Sequence, residues 1–149
     1  VIAMLVGIAA PVAAVAGLDG ISALDATWLH VTGIVVTLAG IVLTLAAQYS
    51  MGESWRIGVD PHERTELVTA GAFRYARNPI FTAMLVTATG LAMTIPNIVS
   101  IIGLLALIAA LEIQVRLVEE PYLIDTHGDT YRTYARQVGR FAPGLGHID

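Results

Sequence analysis

The sequence has no cysteine and no lysine. The first absence excludes disulfides and thiolate metal sites, without fixing the compartment. The second leaves all basic charge to eight arginines, with no basic run long enough to hold nucleic acid. Charge is scarce altogether: 13% of the 149 residues are charged, against about 25% in an ordinary soluble domain. With 56% of residues hydrophobic, the composition points to a membrane protein. No histidine spacing suits a metal, and His62 and His127 read as surface-loop residues.

Four apolar segments fill the space left by charge: residues 1–18, 28–49, 80–95 and 98–118. A span needs about 20 apolar residues, so the third is short. The first lacks the positive flank of a signal peptide and reads as a retained span. Arg56, Arg64, Arg74 and Arg77 fall between spans two and three; Arg116, Arg132, Arg136 and Arg140 fall at the end of span four and in the tail. The connections 19–27 and 96–97 hold no basic residue. Four spans with both termini inside put every arginine on the cytoplasmic side. This predicts an all-α polytopic membrane protein, one domain over 1–149, with spans three and four forming a hairpin at "TIPN" (94–97). Asn78 and Pro79 read as the start of span three. Pro121 reads as the interruption after span four. A short amphipathic helix is expected in the cytoplasmic tail, where Tyr131, Tyr134 and Val138 recur at helical spacing.

Two places carry polar chemistry. The first is the end of span four, where Glu112, Arg116 and Glu120 recur every fourth residue. Each step turns an α-helix by about 40°, so the three predict one slowly winding polar stripe. It is either a self-paired, snorkelling helix end or the wall of a polar cavity in which Arg116 holds an anion. Glu112 lies deep enough that an unpaired carboxylate there is costly. The second is the block "RTELVTAGAFRYARNPIF" (64–81), with a turn at Gly71, aromatic side chains and two arginines before a helix N-terminus suited to an anion. Arg74 and Arg77 also fit the role of headgroup anchors.

Taken in order, "LVTAGAFRYARNPIF", a helical hairpin, "RLVEEPYL" and "HGDTYRTYARQVGRFAP" resemble the isoprenylcysteine carboxyl methyltransferase family and its phospholipid N-methyltransferase relatives. The resemblance covers about residues 52–144. The family's usual Arg-His-Pro-x-Tyr appears here as Arg77-Asn78-Pro79-Ile80-Phe81. The resemblance implies an integral membrane methyltransferase using S-adenosylmethionine and a lipophilic methyl acceptor, in a bacterial inner membrane, with the cofactor site and both termini cytoplasmic. It assigns Thr65, Glu66, Leu67, Val68, Phe73, Arg77, Asn78, Pro79, Ile80, Phe81, Glu120 and Tyr131 to the cofactor, Glu120 at its ammonium end. Arg116 would orient the acceptor, and Glu112 or Glu119 would take a proton from an acceptor that carries one. Tyr131, Tyr134, Arg140 and Phe141 would close the pocket from below. No metal is implied. A catalytically silent membrane module or partner subunit of the same fold, and a small transporter component using Glu112 and Arg116 as pathway charges, are the competing readings.

Overall fold

A computed structural model describes residues 2–51 and 67–148, and all regular structure among them is helical. Helix α1 is Ile2–Val15, α2 Thr27–Met51, α3 Pro79–Thr94, α4 Ile98–Gln114, α5 Glu120–His127 and α6 Asp129–Gln137. Short 3-10 turns occupy Ser22–Leu24 and Gly71–Arg74. Two stretches, Thr27–Met51 and the continuous run Ile98–His127, are long and apolar enough to cross a membrane; Pro79–Thr94 is apolar but shorter. The chain divides into two compact units, the first comprising Val1–Val42 and Ala83–Glu112, the second Leu43–Thr82 and Ile113–Asp149.

The first unit has the pattern of a lipid-facing bundle. Along α2 the large residues Val31, Ile34, Val35, Leu38, Ile41 and Val42 are all exposed, at helical spacing. The face turned toward α3 carries glycine and threonine instead. A Cβ on Gly33 would meet Thr94 and the Gly90 carbonyl; one on Gly40 would meet Thr87; one on Gly90 would meet Thr37. The three pairings run in opposite directions along the two helices, so α2 and α3 pack antiparallel with backbones in close approach. Their threonine hydroxyls are already bonded within each helix, Thr37 to Gly33 O, Thr87 to Ala83 O and Thr94 to Gly90 O, at 2.8–2.9 Å. Large apolar residues outside and small ones within invert the arrangement of a water-soluble helix and match membrane packing. The protein is an integral membrane protein.

The turn into α4 follows its sequence. Asn97 Oδ1 accepts the Ser100 N–H at 2.9 Å, and Ser100 Oγ accepts the Asn97 N–H at 3.1 Å, a reciprocal capping box with serine in the third position. The Asn97 amide also donates to Ala10 O at 3.1 Å, tying α1 to this turn.

Pro121 does not end the helix. Residues Val115–Glu119 form a π-helical turn, and the Glu120 N–H donates to Val115 O, five residues back. The hydrogen-bond ladder slips by one residue immediately before the proline, which has no N–H to contribute. α5 then continues with Pro121 in its first turn. The slip also breaks the expected stripe: Arg116 is exposed, whereas Glu120 is buried.

Candidate active site

The second unit is organised by its C-terminal segment, which grips the residues leading into α3. The Arg77 N–H donates to Gly139 O at 2.9 Å and the Asn78 N–H to Arg140 O at 3.0 Å. The Asn78 amide reaches the same Arg140 carbonyl, and Thr82 Oγ1 donates to Phe141 O at 2.6 Å. Asn78 therefore spends its amide on the tail at the start of α3. Gly139 has no room for a side chain, because a Cβ would run into the Ala142 and Leu145 backbone. At the other edge Gly71 sits at φ +60°, and its missing Cβ leaves space for Ser50 of α2. Ser50 Oγ accepts the Ala72 N–H at 3.3 Å and donates to Ala46 O, which fixes the 3-10 turn carrying Phe73. The Tyr134 hydroxyl donates to Phe73 O at 2.6 Å, and its ring meets Tyr131 edge-on with centroids 6.2 Å apart.

Beneath these elements lies a buried ion cluster. Arg140 Nε and Nη2 donate to the two oxygens of Glu120 at 2.8 and 3.0 Å. Arg77 Nη2 lies 3.1 Å from Glu120 Oε1. Arg77 also donates through Nη1 to the Tyr131 hydroxyl at 3.0 Å and through Nη2 to Gly146 O at 2.6 Å. Its guanidinium carbon stands 5.8 Å from the centre of the Tyr131 ring. Arg77, Glu120, Tyr131 and Arg140 are each under a tenth exposed. The Arg77 Nε is buried and has no hydrogen-bond partner among the described residues.

A cavity of about 220 Å³ opens against this cluster, lined by Met51, Leu67, Val68, Phe73, Arg77, Asn78, Pro79, Ile80, Phe81, Glu119, Tyr122, Leu123, His127, Tyr131 and Tyr134. Its wall is mainly apolar and aromatic, with a few convergent polar groups, the usual composition of a small-molecule site. Burial pushes the Tyr134 hydroxyl up to about 12 and also raises that of Tyr131. Both phenols are therefore neutral hydrogen-bond donors at physiological pH.

Of the residues assigned from sequence, Leu67, Val68, Phe73, Arg77, Asn78, Pro79, Ile80, Phe81 and Tyr131 line the cavity. Glu120 does not; its carboxylate is turned into the ion cluster, and Glu119 lines the cavity in its place. Arg116 is exposed and outside the lining. Glu112 is half-buried and belongs to the first unit. Thr65 and Glu66 lie outside the described residues. Glu119, Tyr122, Leu123 and His127 form a stripe at helical spacing that a helix carried through Pro121 would have revealed.

The phospholipid methyltransferase family model matches residues 28–130. The chain belongs to the phospholipid methyltransferase family. As a member of that family it is also similar in structure to isoprenylcysteine carboxyl methyltransferase, a eukaryotic intramembrane Ras methyltransferase. The TM-score is 0.74 and the identity 26%, over 85% of this chain and 47% of that one. This agrees with the resemblance read from the four sequence blocks. Nickel-cobalt-cadmium resistance protein NccN of Alcaligenes xylosoxydans xylosoxydans is 28% identical over 133 residues, 88% of this chain and 59% of that protein. The chain thus spans about half to three fifths of the length of these two relatives.

Proposed function

We propose that this family member transfers a methyl group from S-adenosylmethionine to a lipophilic acceptor that enters from the membrane. The observation that carries the reading is the cavity built from the 67–81 block and the Glu119–Tyr134 region. The residues present fit the donor. Its adenine asks for an apolar, aromatic cleft, and Phe73, Phe81, Tyr122 and Tyr131 line one. Its ammonium asks for an acceptor, and Glu119 lies in the same wall. Its carboxylate asks for a cation, and Arg77 lines the same cavity.

S-adenosylmethionine supplies an activated sulfonium methyl, so the chain's contribution is positioning and exclusion of water. The aromatic wall holds the donor dry, and the Arg77–Glu120–Arg140 cluster holds that wall in place. A carboxylate acceptor needs no base. For an amine or hydroxyl acceptor, Glu119 is the carboxylate in the cavity wall among the described residues that can take the proton. Arg116, exposed at the π-helical turn, is a candidate for orienting the acceptor from the membrane side.

The charge distribution supports an orientation. Arg74, Arg77, Arg116, Arg132, Arg136 and Arg140 all belong to the second unit, and the first unit has no arginine. The positive-inside rule then makes the second unit, with the cavity, cytoplasmic in a bacterial inner membrane. The proposed topology has four spans. α1, at 14 residues, rises about 21 Å and crosses only with help from the residues that flank it.

The deciding experiment is calorimetric titration of S-adenosylmethionine into the detergent-solubilised protein, followed by transfer of a radiolabelled methyl group into a membrane lipid extract. Saturable binding and label in the lipid fraction are expected. No binding at millimolar donor would refute the reading.

A further inference from the structure

The segment that follows α6 satisfies its backbone within the protein. The Arg77 and Asn78 N–H groups donate to Gly139 O and Arg140 O, Thr82 Oγ1 donates to Phe141 O, and Arg77 Nη2 donates to Gly146 O. Inside the segment the Leu145 N–H donates to Ala142 O at 3.2 Å and the Arg140 N–H to Leu145 O at 2.7 Å. The carbonyls of Gly139, Arg140, Phe141, Ala142, Leu145 and Gly146 are therefore all taken by donors of the chain itself. The backbone reverses across Pro143-Gly144, with Gly144 at φ +77°, the form of a type II turn. Proline adds no N–H to be met. A loop in water leaves such groups to the solvent, whereas irregular backbone at membrane depth has to satisfy them internally.

The depth of this turn follows from α3. Its 16 residues rise about 24 Å, short of the roughly 30 Å of hydrocarbon in a bilayer. An upright α3 centred in the hydrocarbon starts about 3 Å inside its edge. Asn78 and Thr82, at the first turn of α3, hold the carbonyls of Arg140 and Phe141, and the Arg140–Leu145 bond keeps the turn beside them. Leu145 is 68% exposed, and an exposed leucine at this level meets lipid. Tyr75, equally exposed on the approach to α3, adds an amphipathic ring of the kind that gathers at headgroup level. We propose that the turn over 142–145 docks on the bilayer at the boundary between headgroups and acyl chains, with Leu145 as its apolar tip. The docking rests on α3 as a span and holds whatever the cavity binds. It bears on the site because Arg140, which grips Glu120, belongs to the docked segment, so the bilayer steadies one arm of the ion cluster.

The chain has no cysteine, so Leu145→Cys, Gln137→Cys and Thr89→Cys can each carry a single bimane label. The full chain is placed in nanodiscs of phosphatidylcholine and phosphatidylglycerol, which leave both faces open to the buffer. Gln137, exposed on α6, reports water, and Thr89, exposed near the middle of α3, reports whether that helix lies in lipid. Each label is read against iodide in the buffer and against lipids carrying a nitroxide near the glycerol or deep in the acyl chain. The label at 145 should lose most of its intensity to the shallow nitroxide and little to iodide. The label at 137 should do the reverse, and the label at 89 should respond to the deep nitroxide. A label at 145 that behaves like the one at 137, while the label at 89 responds to lipid, overturns the docking alone. No lipid quenching at 89 overturns α3 as a span, and the docking with it.

Discussion

Replacing Glu120 by glutamine tests the cluster that holds the cavity together. The side chain keeps its size and loses its charge. In the native protein its two oxygens take a bidentate pair from Arg140 at 2.8 and 3.0 Å and lie 3.1 Å from Arg77. Glutamine would leave two buried guanidiniums facing each other and turn a donor –NH₂ toward one of them. Breaking a buried pair in this way costs about 3–5 kcal/mol, a large part of the roughly 5–15 kcal/mol that holds a domain folded. The midpoint of thermal unfolding should fall on the order of 10 °C, followed by circular dichroism in detergent. Arg140→Gln in the same background removes one of the stranded charges. The double variant should therefore be more stable than the sum of the two single losses, with a coupling of about 1–3 kcal/mol. Additive losses, or an unchanged midpoint in Glu120→Gln, would refute the reasoning. The carboxylate would then be free to serve the ligand directly, as the sequence alone suggested.

Other outcomes follow from the same geometry. Gly90→Ala should destabilise the first unit by about 1–3 kcal/mol, because its Cβ would press on Thr37; Gly20→Ala, whose Cβ would meet only the Pro96 carbonyl at 3.7 Å, should cost far less, and equal losses in the two would count against the close helix approach. Burial holds the Tyr134 hydroxyl neutral to about 12, against 10.0 when unexposed to the fold, so the unfolded chain loses its proton first and stability should fall as pH rises through that window. Tyr134→Phe should flatten the decline, as read by unfolding midpoints across the pH series. Single cysteines at Ser22 and Arg136, introduced into a chain that has none, should react with impermeant reagent from opposite faces of the membrane; labelling from one face would defeat the proposed orientation.

Much of this architecture was legible before any tertiary contact was known. The low charge and long apolar runs require lipid as solvent, and helices are the economical way to satisfy a backbone there. Asn97 beside Pro96 marks a helix start through local bonds alone, which is why the hairpin turn could be read. The block from Leu67 to Phe81, together with Tyr131, was legible as a pattern of four ordered motifs, and the fold brings its residues to one cavity wall. Arg116 and Glu120 differ in exposure because four-residue spacing means a shared face only in an unbroken α-helix. The π-helical turn at Val115–Glu119 cannot be seen in spacing, and it separates the environments of Arg116 and Glu120.

The sequence by itself determined the solvent, the helical class and the helix start at Asn97, because hydropathy, periodicity and capping act over a few neighbouring residues. Only the tertiary structure decided which of two adjacent glutamates lines the cavity and which is consumed in holding it. Glu120 is claimed by Arg140, twenty residues along the chain, and by Arg77 from the other side of the apolar hairpin. A carboxylate caught between two buried guanidiniums is held far more strongly than one at a cavity wall. That balance depends on distances between side chains remote in sequence, which no local pattern encodes.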